Sequence, residues 1–196
     1  MRYVRQELST TSYALLGLLA FDGPSSPSMT GYELKQRADR TLRFYWVAPA
    51  MSQVYTELER LAGLELVQVT SQESGRRTLQ RYQITVAGFE ALHQWFVGSP
   101  VEFPILKHPV ALKLVMGALA GPHQVQQLLQ GYLAQLAEQR EDLVAVRNFL
   151  GDAEARRYPA MVADWGLSYY DSEAQIVREL LTRLASPASL GEATPA

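Results

Sequence analysis

The stretch MSQVYTELERLAGLELV, residues 51–67, decides the fold of this chain of 196 residues. Its apolar residues recur at spacings of three, four and three, which places them on one face of a helix: Met51, Val54, Leu58 and Leu61. The opposite face is polar: Ser52, Gln53, Thr56 and Arg60. Because a proline is tolerated in a first helical turn, the pattern predicts an amphipathic helix from about Pro49 to Ala62.

Two further helices are predicted on the N-terminal side of this stretch. Thr10–Phe21 is so rich in apolar residues that it belongs in the centre of a core. Thr30 and Glu33 then form a T-x-x-E capping box, in which each side chain satisfies a free backbone N–H at a helix start. The second helix is expected to run to about Arg40.

A hairpin and a fourth helix are predicted on the C-terminal side. Leu66–Val69 and Leu79–Ile84 have the composition of strands, and the polar connection Thr70–Thr78 contains Gly75 as a turn residue. Thr85 can cap a helix that continues to about Val97. Three helices, a hairpin and a helix in this order are typical of a winged helix-turn-helix domain.

Only helices are predicted beyond Gly98–Pro104, a segment with two prolines that marks the domain boundary. They cover His108–Ala120, Pro122–Leu150 and a last segment from Ala153 to about Ser186. The fold class is therefore mainly α with a small two-stranded β wing. The expected divisions are a winged helix-turn-helix domain at residues 9–97, a helical dimerisation domain at 105–186 and a disordered tail at 187–196.

The two long helices have more apolar surface than one chain covers, which predicts a homodimer. Within Pro122–Leu150 the apolar residues alternate spacings of four and three, and Gln139 is the one polar member of the series. A second stripe follows the last helix. The residues expected to mediate dimerisation are Leu129, Tyr132, Leu136, Leu143, Val146, Leu150, Ile176 and Leu180.

Composition and charge exclude several classes of protein. The absence of cysteine excludes a disulfide scaffold, a thiolate zinc site and a cysteine nucleophile. The apolar runs are too short to span a bilayer and no signal peptide is evident, so we expect a cytoplasmic protein without a membrane partner. The net charge of −2 argues against indiscriminate coating of nucleic acid, although residues 1–97 hold 10 Lys and Arg against 9 Asp and Glu.

Catalytic motifs are missing from the sequence. His93, His108 and His123 lie fifteen residues apart on three different predicted elements, which does not match the spacing of a helical metal site. No P-loop, G-x-S-x-G or dinucleotide-binding motif is present. We therefore expect no metal, no cofactor and no enzymatic activity.

Four motifs in the first half resemble those of the PadR family of bacterial transcriptional regulators. They are SYALLGLLA at Ser12–Ala20, GYEL at Gly31–Leu34, the QVY-x-x-L-x-x-L pattern that begins at Gln53, and the wing pattern from Gly75-Arg76 through Tyr82, Ile84-Thr85 and Gly88. The sequence departs from the family in the displaced glycine after the third helix. The resemblance implies a dimeric winged-helix repressor that a small molecule or another signal releases from DNA.

The third helix supplies the residues expected to bind DNA directly. Gln53 suits a bidentate contact with adenine, while Ser52 and Thr56 can hydrogen-bond to bases or phosphates. The Tyr55 hydroxyl contacts phosphate or, alternatively, the ring is half-buried.

Arginines of the predicted wing form a second group. Arg76 and Arg77 enter a minor groove or bind phosphate, the alternative being simple solvation. The remaining cations expected near the DNA backbone are Lys35, Arg37 and Arg81.

Aromatic residues give two open interpretations. Trp95, Trp165 and Tyr169 are either core residues or the lining of a pocket at the dimer interface that binds a small hydrophobic or aromatic effector. The leading hypothesis is a homodimeric, sequence-specific transcriptional regulator, a repressor, that binds a palindromic operator in double-stranded DNA. The alternative is a winged-helix module that binds a protein partner and not DNA.

Overall fold

The computed structural model describes residues 8–21, 26–44, 46, 48–74, 77–101, 103–104 and 107–185. The chain divides into two compact units, Met1–Glu102 and Phe103–Ala196, and each is described by itself. The predicted tail at 187–196 and the wing residues Gly75 and Arg76 lie outside the described residues.

The first unit contains four helices: α1 (Thr10–Leu19), α2 (Gly31–Thr41), α3 (Met51–Gly63) and α4 (Val86–Gly98). All of them except α3 begin at an N-cap side chain that accepts a hydrogen bond from the first turn. The Ser9 side chain accepts from the Ser12 N–H at the start of α1, and that of Thr85 accepts from the Gly88 N–H at the start of α4. The predicted capping box of α2 is complete.

The wing is longer than predicted. Strand β2 (Val67–Ser74) pairs antiparallel with β3 (Arg77–Ile84), from Val67 opposite Ile84 to Ser74 opposite Arg77. Most of the connection predicted at Thr70–Thr78 is therefore strand, because backbone hydrogen bonds form whatever the polarity of the side chains. A third strand that was not predicted, β1 (Met29–Thr30), pairs with the other edge of β3 and gives the order β1-β3-β2.

Helix α1 lies at the centre of the core of the first unit, as predicted. Residues of α2, α3, β2 and β3 complete this core. Leucines of α1 are almost fully enclosed by α2, α3 and the sheet. The buried hydrophobic residues are Leu15, Leu16, Leu18, Leu19, Leu34, Ala38, Val54, Leu58, Leu61, Val67, Tyr82 and Ile84. This core fixes the angle at which α3 presents its polar face.

The second unit contains α5 (Pro109–Val115), α6 (Pro122–Leu150) and α7 (Arg157–Ala185). The prediction of one helix from His108 to Ala120 is wrong, because α5 ends early and Gly117–Leu119 forms a 3₁₀ turn. A second 3₁₀ turn precedes α7, which begins later than predicted.

The predicted dimerisation stripe of α6 is covered within the chain. Helices α6 and α7 pack along their length, and Gly166 of α7 lies so close to Leu143 that an added Cβ would stand 2.7 Å from Leu143 Cδ2. Leucines of the stripe are buried by this packing: Leu129, Leu136, Leu143 and Leu150. Their apolar surface is used inside one chain, so these four expected interface residues are core residues in this fold.

No helix in the described part of the chain is long and apolar enough to cross a bilayer.

Candidate nucleic-acid interface

Helix α3 separates a buried face from an exposed polar face, as its spacing predicted. Val54, Leu58 and Leu61 have no exposed surface at all. Ser52, Gln53 and Thr56 are exposed on the other side. Since the buried leucines lock the rotation of the helix about its axis, the polar residues have fixed directions toward solvent.

Gln53, which is predicted to contact a base, also stabilises the start of α3. Its Oε1 accepts a hydrogen bond of 2.9 Å from the backbone N–H of Ala50, the N-cap residue. Ala50 has no side-chain acceptor to offer in return, so only this half of a capping box exists. The Gln53 amide nitrogen is left as a donor for a base edge, while its oxygen is already shared with the backbone.

Tyr55 is partly covered, with 41% of its surface exposed. Its ring packs against Gly31 at the start of α2, where an added Cβ would lie 2.5 Å from Tyr55 Cε1. The partly covered ring supports the contact between α2 and α3, and the contact of the Tyr55 hydroxyl with phosphate stays a prediction.

A hydrogen-bonded network joins the start of α1 to the middle of α3. Glu57 accepts from the hydroxyls of Ser9 and Ser12 at 3.1 and 2.9 Å, and it forms an ion pair with Arg60 at 2.9 Å. The Arg60 hydrogen bonds lower the pKa of Glu57, with the two serine hydroxyls adding to the effect against partial burial. The carboxylate on the exposed side of α3 is thus charged and neutralised locally by Arg60.

The cations of α2 have partners within the chain. Lys35 forms an ion pair with Asp39 one turn later. Arg37 donates to the Leu18 carbonyl at 3.0 Å, and its guanidinium lies over the Phe21 ring, 5.6 Å from the centroid. The structure places both side chains against α1 or along α2, so their predicted contact with DNA would compete with these bonds.

The wing presents a polar surface beside α2 and α3. Thr78, Leu79 and Gln80 are exposed on β3. Arg77 occupies the first position of β3 opposite Ser74, and Arg76 lies outside the described residues. Their predicted contacts with DNA stay predictions.

Arg81 is placed differently from an ordinary phosphate-binding arginine. It donates through Nε to Ser28 Oγ at 3.1 Å and through an Nη atom to the Ser28 carbonyl, and it lies 3.5 Å from Glu33 Oε2. The hydrogen bond from the Thr30 backbone N–H is the main cause of a lowered Glu33 pKa, and the Arg81 charge contributes. All three partners belong to the segment that begins α2.

Two concave surfaces flank α3. A cleft of about 310 Å³ lies between the start of α1 and the exposed polar residues of α3. A groove of about 760 Å³ lies between α2, Tyr55 of α3 and β3. Sequence analysis did not single out Tyr32 and Gln36, which line this groove and are joined by a hydrogen bond of 3.0 Å. The GYEL motif that contains Tyr32 was the signal available for it.

The residues predicted to bind an effector occupy both units. Trp95 of α4 stacks on Tyr13 of α1 with ring centroids 4.6 Å apart, which makes it part of the packing of the first unit. Trp165 and Tyr169 are neighbours one turn apart on α7, and 76% of the Trp165 surface is exposed.

The other expected dimerisation residues have varied surroundings. The Tyr132 hydroxyl donates to Glu173 at 3.0 Å and lies 3.1 Å from His108 Nε2, so it belongs to a polar cluster of the second unit. Leu180 packs against the core of that unit and Val146 is half-buried. Ile176 is exposed on α7. Among the described residues, no group of three His, Asp or Glu side chains is arranged to hold a metal ion.

Comparison with solved structures identifies the fold. Bacillus subtilis PadR in complex with operator DNA superimposes with a TM-score of 0.79 at 19% identity, over 90% of this chain and 99% of that one. The Vibrio cholerae virulence activator AphA gives a TM-score of 0.67 at 20% identity, over 88% and 96% of the two chains. Bacillus subtilis PadR in complex with p-coumaric acid gives 0.70 at 20% identity, over 89% and 98%. No curated protein sequence matches this chain significantly.

The fold is of the winged-helix class found in these structures. Within that class it is PadR-like, so the resemblance to the PadR family is confirmed at the level of fold. Residues 106–185, which lie in the second unit, match the family described as virulence activator alpha C-term. The predicted mainly helical fold with a β wing is confirmed as well.

Proposed function

We propose that this protein is a homodimeric, sequence-specific regulator of transcription that binds a palindromic operator in double-stranded DNA. The observation that carries the proposal is α3, whose polar face is exposed while its apolar face is completely buried. A rigid helix of this kind fits the major groove, where side chains near its N-terminus contact base edges. The operator complex of Bacillus subtilis PadR, which shares the fold, supports the proposal.

In the proposed complex, α3 gives specificity and the wing gives affinity. Gln53 donates from its amide nitrogen to a base, with Ser52 and Thr56 contacting bases or phosphates beside it. Arg76 and Arg77 contact phosphate or the minor groove, where their charge contributes a salt-dependent share of the binding energy. The overall negative charge limits non-specific binding without affecting these local contacts.

Dimerisation is proposed to use the outer face of α7. Apolar and aromatic residues of α7 are exposed and recur at helical spacing: Tyr158, Met161, Trp165, Tyr169 and Ile176. Exposed aromatic and aliphatic side chains in such a row are typical of an interface between subunits. This stripe replaces the α6 leucines, which the chain itself covers.

We further propose repression that a small aromatic molecule relieves, in the cytoplasm where operator DNA is accessible. The complex of Bacillus subtilis PadR with p-coumaric acid supports an aromatic ligand. Trp165 and Tyr169 offer stacking surfaces for such a ring. If Trp165 and Tyr169 contact the effector, ligands that release DNA are expected to change the tryptophan fluorescence of the wild-type protein. This change is expected to be lost in Trp165→Phe. An unchanged fluorescence of the wild-type protein would show that neither residue belongs to the effector site.

Selection of bound DNA from a random pool tests the proposed function. We expect enrichment of a palindrome whose half-sites are about one helical turn apart, as a symmetric dimer of winged-helix domains requires. No enrichment would support the alternative, a module that binds a protein partner.

A further inference from the structure

The guanidinium of Arg81 is bonded through Nε and one Nη atom at the base of the wing. It forms two hydrogen bonds to Ser28, one to the hydroxyl and one to the backbone carbonyl, and it faces the Glu33 carboxylate. Only 26% of the side-chain surface is exposed. Hydrogen bonds from a charged donor are among the stronger ones in proteins, so this arrangement favours a single conformation of the side chain.

The partners of Arg81 all lie where the chain enters α2. Ser28 precedes β1, and Glu33 closes the capping box by accepting from the Thr30 N–H at 2.7 Å. The Glu33 carboxylate thus connects Arg81 to the N-terminus of α2. Helix α2 in turn packs on α3 through Gly31 and Tyr55.

The backbone reinforces the same connection. Arg81 is the register partner of Thr30 in β1 and of Thr70 in β2. Two residues further along β3, Gln83 donates to the Ser26 carbonyl at 3.2 Å. Side chains at alternate positions of β3 therefore attach the strand that carries the wing to the segment that begins the helix-turn-helix.

We infer that Arg81 is a positioning residue, not a phosphate contact: it fixes the wing relative to α2 and α3, so that wing and recognition helix engage DNA together. This inference rests on the proposed DNA binding and changes the role expected for Arg81 from the sequence. The bonds through Nε and one Nη atom fix the direction of the guanidinium, and a positioning role uses these bonds as they exist. Arginine is needed because its planar fork reaches Ser28 and Glu33 at once.

Substitutions at Arg81 and a salt series separate the two roles. A lost phosphate contact lowers the slope of log affinity against log salt by about 0.9 for each subunit. We expect Arg81→Gln to lower operator affinity about tenfold with the wild-type slope retained. Arg81→Lys keeps the charge and loses the fork, and we expect a similar loss of affinity. A reduced slope in Arg81→Gln, or wild-type affinity in Arg81→Lys, would overturn the inference.

Two controls exclude a general loss of structure. Affinities are measured well below the melting temperature of each variant, and Arg81→Gln is repeated in a background with Arg76→Ala and Arg77→Ala. If Arg81 acts through the wing, its effect shrinks once the wing contacts are removed, because the two sets of substitutions are coupled. Full additivity would point to a merely structural role and would contradict the inference.

A measurement without DNA keeps this test separate from the proposed function. The chain has no cysteine, so spin labels attach only at Arg40→Cys of α2 and Gln72→Cys of β2. Dilution with an excess of unlabelled protein leaves one labelled subunit in each dimer, so the measured distance is that from α2 to the wing. Arg81→Gln is expected to broaden that distance distribution, and an unchanged distribution would refute the inference. A broadened distribution together with failure to select any DNA would refute the DNA-binding proposal and leave the mechanical role of Arg81 standing.

Discussion

Gly31 of α2 lies directly against the ring of Tyr55 of α3. The ring of Tyr55 occupies the space that any larger residue at this position would need. The contact explains why a glycine precedes the tyrosine of the GYEL motif in this chain: the side chain that is absent from α2 makes room for one on the recognition helix. A small change here is therefore expected to move α3.

We predict that Gly31→Ala destabilises the first unit by about 1–3 kcal/mol, the usual cost of forcing extra volume into a packed contact. Chemical denaturation checks the value. Gly17→Ala is the matched control, because nothing lies within 4 Å of a Cβ added in the middle of α1. There alanine is expected to stabilise the helix by about 0.5–1 kcal/mol. Equal effects of the two substitutions would show that the packing of Tyr55 on Gly31 is unimportant.

Glu57 supplies a prediction about pH. Its pKa is lowered in the folded protein, mainly by Arg60, so the carboxylate contributes stability at pH values above the ordinary glutamate range. That contribution is lost as the pH falls through the lowered pKa. In melts between neutral and acidic pH, Glu57→Gln is expected to start less stable than wild type and to approach it on acidification. Glu59→Gln, an exposed neighbour on α3, serves as control; a constant difference between Glu57→Gln and wild type at all pH values would contradict the prediction.

At the scale of elements, α5 is attached to the two long helices by a polar cluster. His108 Nδ1 accepts from the Ala111 N–H at the start of α5, which leaves the proton on Nε2, 3.0 Å from Glu173 Oε2. The Tyr132 hydroxyl of α6 donates to the same carboxylate oxygen. Burial, followed by the bond to Glu173, raises the pKa of Tyr132, so its phenol remains protonated and continues to donate.

We predict that Tyr132→Phe costs the second unit about 1–3 kcal/mol, although the ring itself is kept, because a partly buried carboxylate loses a donor. Denaturant unfolding of the whole chain gives the value. An unchanged free energy of unfolding in Tyr132→Phe would show that water replaces the phenol hydroxyl at no cost.

The sequence predicts an element well when the residues that determine it lie within or next to that element. Pro122–Leu150 is found at its predicted bounds, because Gly121 adopts a φ of 85° before the proline and Gly151 one of 59° after the last turn. These signals are local. Strand β1 has only two residues and exists because β3 offers a free edge, so no local pattern announces it.

In the candidate site too, features determined within one element were predicted and those determined by tertiary contacts were not. Spacing alone predicted the exposed polar face of α3, since alternation of apolar and polar residues is a property of one helix. The Lys35–Asp39 pair has the i,i+4 spacing of a helical ion pair and could be read from the sequence. The partners of Arg37 and Arg81 could not, because an exposed arginine and one bound to a carbonyl or carboxylate of its own chain have the same sequence context. Only the tertiary structure shows which donors are already engaged.

At the scale of the whole molecule, the second unit has two apolar stripes that differ in how far they are buried. The α6 stripe is covered by its packing on α7, while Met161, Trp165 and Ile176 of α7 are exposed. Sequence analysis assigned both stripes to dimerisation, because amphipathic spacing identifies an apolar face without identifying what covers it. The dimer is thus expected to depend on α7.

We predict that Trp165→Glu converts the dimer to a monomer at micromolar concentration, since a charge at the centre of an apolar interface is costly. Sedimentation measures the mass, and operator affinity is expected to fall together with dimerisation. Gln130→Glu, an exposed polar position on α6, is the control and leaves the dimer intact. A Trp165→Glu protein that remains dimeric would place the interface on another surface.

The central claim is that the exposed face of α3 determines which DNA sequence is bound. Gln53→Glu tests it directly, because a carboxylate keeps the acceptor for the Ala50 N–H and removes the amide donor. Selection from the same random DNA pool is run in parallel with the wild-type and Gln53→Glu proteins. We expect two palindromes that differ at one symmetric pair of positions, with cytosine preferred by the variant, since glutamate accepts from the cytosine amino group. Identical palindromes, or none from the wild type, would contradict the claim.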